Sequence, residues 1–312
     1  MSQKTVEISR VDFQEWVQAF TALTGFDDPV FWKSLRKNPD FDTKGLFKAS
    51  INSESQPIVA GVICAHSLPS RAVIDTLFLN HGELSRDLLD LTASELILSA
   101  VNRLKSLGSE EIVSRVSHSD PNKVYFEKNS FVSISERVHL SKAIEKPASR
   151  FSKKAHKKQS SGFDIIKITS DEQIREFAEL TQLILNQDDD SDPLTEKDIR
   201  EWLIKDPSFG LNQMFFAIDR KTGKKAGVGH FFYYPAERRG GIFGIGVLEE
   251  YRGQGVSSKL ISAIIACISS KGGTRAYIEC YKGSDAEKIY KHMGFTVDYT
   301  DSIMRYIDDS PP

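Results

Sequence analysis

The chain contains 312 residues, of which 40% are hydrophobic and 27% charged, and its formal net charge is −2. This length is sufficient for two domains with cores of their own, and the composition is typical of a soluble globular protein. No apolar run approaches the roughly 18 residues of a membrane-spanning helix, and residues 1–10 lack the apolar core of a signal peptide. These features predict a protein without a membrane partner.

Three cysteines, Cys64, Cys267 and Cys280, lie within apolar runs and lack the spacing of metal ligands. Their odd number and their apolar surroundings indicate reduced core residues. We therefore expect a cytoplasmic protein with no metal cofactor.

In the first half of the chain, apolar residues recur with both helical and strand periods. The predicted helices are Val11–Leu23, Asp28–Lys37 and Leu91–Leu107, and the predicted strands are Leu46–Ile51, Ile58–His66 and Val73–Leu79. In the third helix we expect Leu91, Leu98 and Val101 to face the core.

Residues 146–162, KPASRFSKKAHKKQSSG, carry six Lys or Arg and no acidic residue. Together with Pro, Ser and Gly, this composition is typical of a linker, and we interpret it as a solvated tether. The alternative is that the basic run contacts phosphates, nucleic acid or an acidic face of the protein itself. Because Phe151 is the one aromatic residue in the run, nucleic acid is the disfavoured partner.

The second half begins with a predicted strand and two predicted helices, Phe163–Ile168, Asp171–Leu185 and Glu196–Ile204. The two helices are separated by residues 186–193, which contain four aspartates: Asp188, Asp189, Asp190 and Asp192. Four carboxylates would attract a cationic ligand. The alternative is a solvated loop in which Asp192 or Thr195 caps the following helix.

A glycine-rich stretch, residues 241–255, joins a buried strand to an amphipathic helix. After the turn, apolar residues recur at steps of three and four: Val256, Leu260, Ile261, Ile264, Ile265 and Ile268. Within the turn, Gly253 and Gly255 allow successive backbone N–H groups to converge on the helix N-terminus, which carries positive dipole charge. Such a turn is suited to bind a phosphate.

Residues 247–257, VLEEYRGQGVS, resemble the coenzyme A pyrophosphate loop of the GNAT superfamily of N-acetyltransferases, whose core is Gln/Arg-x-x-Gly-x-Gly/Ala. Two positions depart from the family pattern: Ser257 stands where Gly or Ala is usual, and Glu249 replaces a proline. Residues 286–295, AEKIYKHMGF, resemble the second family signature, Asn-x-x-Ala-x-x-Leu-Tyr-x-x-x-Gly-Phe, with Gly283 in place of the Asn. The two signatures occur in the family's order, separated by a predicted strand.

The resemblance implies an N-acetyltransferase that moves an acetyl or other acyl group from acetyl-CoA to a primary amine of a small molecule or peptide. It also implies that coenzyme A is held by the residues of the loop. They are Val247, Leu248, Arg252, Gly253, Gln254, Gly255, Val256 and Ser257. In this family the segment between the first two helices overhangs the acceptor, which is where the four aspartates lie.

Comparison of the two halves reveals an internal repeat. Ala60–Val62 echoes Ala226–Val228, and Phe126–Phe131 echoes Tyr290–Phe295, at offsets that drift slowly in one direction. We therefore expect an α/β fold of two tandem GNAT-like domains, each a mixed, mostly antiparallel sheet flanked by helices. The predicted division is a first domain at 1–145, a basic linker at 146–162 and an acetyl-CoA-binding domain at 163–312.

The first domain lacks the glycine turn and is interpreted as a degenerate copy that supports the second. Residues 80–90 take its place as a predicted loop with three carboxylates, Glu83, Asp87 and Asp90, which would repel a pyrophosphate. In addition, Phe126 has no hydroxyl where Tyr290 has one.

For the chemistry, the resemblance assigns Tyr290 as the general acid towards the departing thiolate. The alternative is that Tyr290 is a core aromatic residue of an amphipathic helix. The backbone N–H groups around Val247 and Leu248 are expected to hold the thioester carbonyl.

The carboxylate that the family usually carries on the central strand is absent from residues 241–247. Glu279, a lone acid in an apolar strand, is our candidate for the general base, because burial would favour its neutral form. It could instead be a structural residue in a salt bridge. His230 is a weaker candidate, because a single histidine in a strand is more often simply hydrogen-bonded.

Two other classes of function stay open. One is a Fem-like aminoacyl transferase, also built from two GNAT-like domains, which would use the basic linker to meet tRNA; the intact glycine turn counts against it. The other is a non-catalytic, coenzyme-A-sensing binding protein, favoured if neither Glu279 nor His230 faces the cleft.

Overall fold

The computed structural model describes residues 5–37, 41–52, 56–67, 71–145, 162–185 and 194–308. Within these ranges the chain forms two compact units, Met1–Arg137 with Thr300–Pro312 and Val138–Tyr299, which we call the N-terminal unit and the C-terminal unit. The predicted division into domains at 1–145 and 163–312 was drawn from the sequence repeat. The two compact units are defined by contacts within the fold, which is a different criterion, so the predicted division stays a prediction. The predicted linker lies outside the described residues, apart from Gly162.

The N-terminal unit is a sheet with helices packed against it. Its helices are α1 (Phe13–Thr24), α2 (Pro29–Lys37), α3 (Arg86–Ser106) and α4 (Lys123–Lys128). Its strands are β1 (Val6–Arg10), β2 (Leu46–Ile51), β3 (Ile58–Ser67), β4 (Ala72–Leu79) and β5 (Ile112–Ser117), with parts of β6 (Phe131–Ala143) and β12 (Thr296–Tyr306). The strand order is β1-β2-β3-β4-β5-β12, in which β4 and β5 are parallel and the other neighbours antiparallel. The last strand of the chain thus completes this unit, with Ser302 beside Val116.

The C-terminal unit has the same layout. Its helices are α5 (Glu172–Leu185), α6 (Glu196–Lys205), α7 (Val256–Ser270) and α8 (Asp285–His292). Its own strands are β7 (Phe163–Lys167), β8 (Met214–Asp219), β9 (Lys225–Tyr234), β10 (Arg239–Val247) and β11 (Arg275–Tyr281). They run in the order β6-β11-β10-β9-β8-β7, with β10 and β11 parallel and β7 to β10 antiparallel. The predicted mixed, mostly antiparallel α/β sheet is confirmed in each unit.

Alternation along the strands gives the C-terminal sheet two apolar faces. On one face Phe231, Ile242 and Ile278 pack in the same core as α7 and α8. On the other face Phe216 and Val228 pack with α5 and α6. Any side chain on β9, β10 or β11 therefore faces one side of the sheet or the other, according to its place in the alternation.

The three cysteines are buried and form no disulfide, as the sequence predicts. Cys64 lies in the N-terminal unit, and Cys267 and Cys280 lie in the C-terminal unit. Among the helices that the structure describes, none has the length and apolar character needed to cross a bilayer.

Helix α3 begins earlier than the sequence predicts. Its first residue is Arg86, because the Ser85 hydroxyl accepts a hydrogen bond from the Leu88 N–H and caps the helix. Asp87 and Asp90 therefore lie in the first turns of a helix, so interpreting all of residues 80–90 as a loop was wrong.

The buried face of α3 also differs from the prediction. Val101 is buried, whereas Leu91 and Leu98 are 43% and 40% exposed. The buried stripe consists of Leu89, Thr92, Ala93, Leu96, Ile97, Ala100, Val101 and Leu104. Leu91 and Leu98 do share a helix face. Because each residue turns an α-helix by about 100°, Leu98 is rotated by about 200° from Leu96 and lies on the side away from the core.

This arrangement of α3 predicts unequal effects of two otherwise identical substitutions. Leu96→Ala should lower the free energy of unfolding by about 2–5 kcal/mol, because it opens a cavity in the core. Leu98→Ala should lower it by less than about 1 kcal/mol, since that residue is 40% exposed and its truncation opens no enclosed cavity. Denaturant titration followed by circular dichroism measures both, and equal losses would contradict the assigned face.

Candidate active site

A β-bulge interrupts β10 near its carboxyl end. Phe243 lies opposite His230 and Gly246 lies opposite Val228, so β10 carries one more residue than β9 across this interval. Gly244, inside the bulge, has a φ of 56°. A Cβ at this position would lie 2.6 Å from a ring carbon of His230. Both the backbone conformation and the available space therefore require glycine.

Strands β10 and β11 pair over only part of their length. Their parallel partners run from Arg239 beside Arg275 to Ile242 beside Ile278, and the register ends there, just before the bulge. The carboxyl ends of the two strands are consequently unpaired with each other. Crevices at the carboxyl ends of parallel strands are a common location for ligands in α/β proteins.

The two backbone amides expected to hold the thioester carbonyl face opposite edges of β10. The Leu248 N–H donates to the Ala226 carbonyl on the β9 side at 3.0 Å. Because successive N–H groups of a strand point to opposite edges, the Val247 N–H faces the gap beside β11. Of the two amides, only that of Val247 is directed towards the gap.

The glycine turn leads directly into α7. Gly253 and Gly255 have φ values of 74° and 78°, and a Cβ built on either would meet no atom within 4 Å. Gly255 occupies the N-cap position, and no side chain caps this end of the helix. The first N–H groups of α7 therefore converge on open space with their dipole charge uncompensated by a cap, which is the arrangement that binds an anion.

The side chains of Arg252 and Gln254 in the turn are held in place by hydrogen bonds to backbone carbonyls. The Arg252 Nε donates to the Val247 oxygen at 3.3 Å, and the Gln254 amide donates to the Glu250 oxygen at 2.9 Å. The second bond holds Gln254 on the single-turn helix Glu249–Tyr251 that precedes the turn.

A cavity of about 780 Å³ extends from the glycine turn to α8. It brings together six of the eight predicted coenzyme A contacts and Tyr290; Leu248 and Gln254 are not among its lining residues. The remaining lining residues were not predicted as site residues from the sequence: Ile184, Ile245, Gly246, Tyr251, Ser258, Asp285, Ala286, Lys288 and Ile289. Those on α8 lie in or beside a recognised signature, whereas nothing in the local sequence distinguishes Ile184, at the end of α5.

Tyr290 both lines this cavity and packs in the core. It is buried among the residues of the α7 face, and its ring lies 6.2 Å from that of Phe295. Burial, with a smaller contribution from Cys280, raises the pKa of its hydroxyl well above the ordinary value. Tyr290 is therefore a neutral phenol near pH 7, able to donate a proton or a hydrogen bond.

Glu279 lies on the opposite face of the sheet from Tyr290. On β11 the buried residues Ile278 and Cys280 share the Tyr290 core, so Glu279 between them points the other way. There it lines a smaller cavity of about 190 Å³, whose other lining residues include His139, Phe243, Tyr277 and Tyr299. The two predicted catalytic residues thus line different cavities.

Contacts within the smaller cavity hold an imidazole beside this carboxylate. The Nδ1 atom of His139 lies 3.7 Å from the Glu279 carboxylate, and the His139 ring stacks on Tyr299 with centroids 4.1 Å apart. The Glu279 side chain is 30% exposed, so it is open to solvent and not fully buried as the sequence suggested.

His230 is an interior residue of the opposite face. Aromatic rings surround it: Phe177, Trp202, Phe209, Phe232 and Phe243. Burial lowers the pKa of His230 to about 4. A group with this pKa is a weak proton acceptor, so the surroundings favour a structural role.

Several predicted contributors lie outside the described residues, namely the linker 146–161 and the four aspartates of 186–193. The helix that follows the aspartates, α6, is capped by Thr195, which exchanges hydrogen bonds with Asp198 in a capping box. In the described part of the chain, no three His, Cys, Asp or Glu side chains are grouped so that they could hold a metal ion.

Comparisons with known proteins agree with this geometry. The model of the acetyltransferase (GNAT) family matches residues 174–295, a range that includes the bulge, the glycine turn and Tyr290. Because of this family-model match, residues 174–295 are a GNAT-family domain. A search of curated proteins finds no match to the sequence.

Similar solved structures cover both units. A GCN5-related N-acetyltransferase from Sphaerobacter thermophilus matches with a TM-score of 0.71 and 11% identity, over 96% of this chain and 95% of that one. A tandem GNAT protein from the clavulanic acid biosynthesis pathway matches with a TM-score of 0.64 and 15% identity, over 99% and 100%. A GCN5-related glucosamine N-acetyltransferase region of a fungal multi-domain β-N-acetylglucosaminidase gives 0.70 and 12%, over 98% of this chain and 38% of that one. At these identities the likeness shows the fold, and it confirms the predicted tandem GNAT architecture.

The buried position of His230 predicts a pH dependence of stability. Its folded-state pKa of about 4 lies below the ordinary value of 6.5, so its stabilising contribution is complete above about pH 6.5 and is lost as the pH falls towards 4. Relative to His230→Gln, which cannot titrate, the wild type should lose up to about 1.4 kcal/mol per pH unit in this interval. Urea denaturation of both proteins at pH 7, 6, 5 and 4 measures the difference, and parallel curves would contradict a buried neutral imidazole.

Proposed function

We propose that this chain, whose residues 174–295 form a GNAT-family domain, is an N-acetyltransferase that moves an acetyl group from acetyl-CoA to a primary amine of a small molecule or peptide. The observation that carries the proposal is the cavity of about 780 Å³, because it joins an uncapped glycine turn to the buried phenol of Tyr290. Acetyl-CoA would supply the activated acyl group, and the residues of the cavity would bind and orient it.

The residues of the cavity are suited to hold coenzyme A. Its pyrophosphate requires several N–H donors and positive potential, and the first turn of α7 offers both where Gly253 and Gly255 leave the approach open. Arg252, which also lines the cavity, adds positive charge at its wall, whereas Lys288 is paired with Asp285 at 2.8 Å. The apolar side chains Ile245, Val256 and Ile289 suit the less polar part of the cofactor.

In the reaction, the neutral amine forms a C–N bond with the thioester carbon, and the C–S bond then breaks. The Val247 N–H would stabilise the negative charge that develops on the carbonyl oxygen. The Tyr290 hydroxyl would donate its proton, or a hydrogen bond, to the departing sulfur. Burial raises the pKa of that hydroxyl, which favours donation of a hydrogen bond over full transfer of the proton.

Glu279 is our proposal for the group that removes a proton from the amine. It lies on the face of the sheet opposite Tyr290, so an acceptor seated against Phe243, Tyr277 and Tyr299 would approach the gap beside β10 from that side. The aromatic rings and the carboxylate of this small cavity suit an amine that is attached to an apolar group. Arg239, which also lines the cavity, forms an ion pair with Glu237. Because the Glu279 side chain is itself 30% exposed, it would return the proton to solvent directly.

A non-catalytic protein that senses coenzyme A is the second candidate. The observation in its favour is that Glu279 and Tyr290 line different cavities, so the larger cavity does not contain the predicted base. Release of free thiol from acetyl-CoA in the presence of amines, peptides or aminoglycosides separates the two candidates, because a sensor binds the cofactor without turnover. A Fem-like aminoacyl transferase would instead show no use of acetyl-CoA.

Binding of coenzyme A should depend on the glycine turn of the C-terminal unit alone. Calorimetry should show one coenzyme A per chain, and Gly255→Glu should abolish binding through repulsion of the phosphates and loss of close backbone approach. Gly223→Glu is the matched control, because Gly223 also has a positive φ and open surroundings but lies in the turn between β8 and β9. Two sites per chain would overturn the view that the N-terminal unit lacks a cofactor site.

Loss of the Tyr290 hydroxyl should affect turnover and leave binding intact. Tyr290→Phe is expected to lower kcat about 100-fold while the Kd for acetyl-CoA changes little, because the interaction strengthens only as the C–S bond breaks. Tyr233→Phe is the control, since it removes a buried hydroxyl that donates to the Lys271 carbonyl in the same unit. That variant should lower Tm and leave kcat unchanged; an unchanged kcat in Tyr290→Phe would remove this residue from the mechanism.

A further inference from the structure

The N-terminal unit contains an aromatic cavity that the proposed transferase site does not use. It has a volume of about 450 Å³, within the usual range of small-molecule pockets, and is lined by residues of α1, α2, β3 and β4. Aromatic side chains dominate its lining, among them Trp16, Phe20, Phe26, Phe31, Trp32 and Phe78. The N-terminal unit therefore contains space for a ligand of its own.

The cavity arises from small side chains at two positions of the repeated fold. In the C-terminal unit His230 pairs with Phe243 across β9 and β10, and their rings fill the space beneath the helices. In the N-terminal unit two small residues, Cys64 and Thr76, are paired across β3 and β4, and both line the cavity. A thiol and a hydroxyl leave more space beneath the helices than the rings of His230 and Phe243 do.

Three phenylalanines of the lining are partly in solvent. Phe26 is 43%, Phe31 46% and Phe78 38% exposed, and Phe26 and Phe31 contact each other edge to face with ring centroids 5.5 Å apart. Exposed aromatic rings grouped around one cavity are unfavourable in water and mark a binding surface.

One carboxylate gives the cavity a negative charge. The backbone N–H of Asp42 donates to Nδ1 of His66 at 3.4 Å, so the imidazole carries its proton on Nε2 and donates it to the Asp75 carboxylate at 2.6 Å. Asp75 is the acidic side chain among the described residues of the lining. Burial raises the pKa of the neighbouring Cys64 thiol well above its usual range, so the thiol adds no charge.

We propose that this cavity binds an organic cation, an ammonium group attached to an aromatic or aliphatic body. The faces of aromatic rings attract cations, and cages of such rings are the usual receptors for alkylated ammonium groups. Asp75, whose side chain is 53% exposed, supplies the countercharge at the edge. No lysine or arginine is found among the described residues of the lining, so an anionic ligand has no partner there.

The test uses the full chain and a set of benzyl probes of different charge. Trp16 and Trp32 both line the cavity, and Trp202 is the third tryptophan of the chain, so fluorescence of a Trp202→Phe background reports on this site. Benzyltrimethylammonium should quench or shift the emission saturably, and it should bind at least about tenfold more tightly than benzyl alcohol or phenylacetate.

Substitutions then separate charge from apolar contact. Asp75→Asn, which retains an acceptor for His66, should weaken benzyltrimethylammonium binding about tenfold and leave benzyl alcohol binding unchanged. Phe78→Ala should weaken the binding of both probes. Asp87→Asn, an exposed acid on α3 outside the lining, is the matched control and should change neither.

Three results would overturn the inference. They are no saturable signal with any probe, equal affinity for the cation and for benzyl alcohol, and full retention of the cation preference in Asp75→Asn. Because these measurements need neither acetyl-CoA nor turnover, their outcome is independent of the proposed transferase activity.

Discussion

The incomplete pairing of β10 with β11 is the constraint on which the candidate active site depends. The register ends at Ile242, and the bulge that follows is possible only because Gly244 takes a positive φ against the ring of His230. The amide of Val247 therefore points into the gap between β10 and β11 and not towards a partner strand. An unpaired backbone N–H is unfavourable unless water or a ligand accepts its hydrogen bond. The sheet thus gives up part of its hydrogen bonding at the point where a carbonyl oxygen would need a donor.

The two units show how one layout can hold different sites. In both, two helices cover one face of the sheet, and a longer helix covers the other. On the first face, the C-terminal unit is filled by His230 and Phe243, whereas Cys64 and Thr76 leave a cavity in the N-terminal unit. On the other face, α7 begins without a side-chain cap, whereas α3 is capped by Ser85. A capped N-terminus has already satisfied a donor that a phosphate would otherwise use. The helix caps and the sizes of a few side chains therefore decide which face of each unit is open.

The part of the site encoded by contiguous residues could be predicted from the sequence. The turn at Gly253 and Gly255 and the position of Tyr290 depend on short-range patterns, and the structure brings them to one cavity. The position of Glu279 was harder to predict. Sequence periodicity shows that it alternates with buried neighbours, but it does not show on which face of the sheet α8 and Tyr290 lie. Ile184 reaches the cavity through tertiary packing and leaves no local signal. The same limit explains α3, where a run rich in leucine offers several apolar stripes and only packing selects the buried one.

The two interpretations of Tyr290, general acid and core aromatic, rest on the same physical fact. Burial among apolar side chains makes the ring part of the core, and it also keeps the phenol protonated, because the charged form is poorly solvated there. The N-terminal unit separates the two contributions. At the matching position Phe126 is buried without a hydroxyl and packs on Phe131 with ring centroids 5.3 Å apart, much as Tyr290 packs on Phe295. The ring alone is therefore sufficient for packing in this fold. A hydroxyl that packing does not require, placed beside a cavity and an uncapped helix N-terminus, supports the proposed role of Tyr290 towards a departing thiolate.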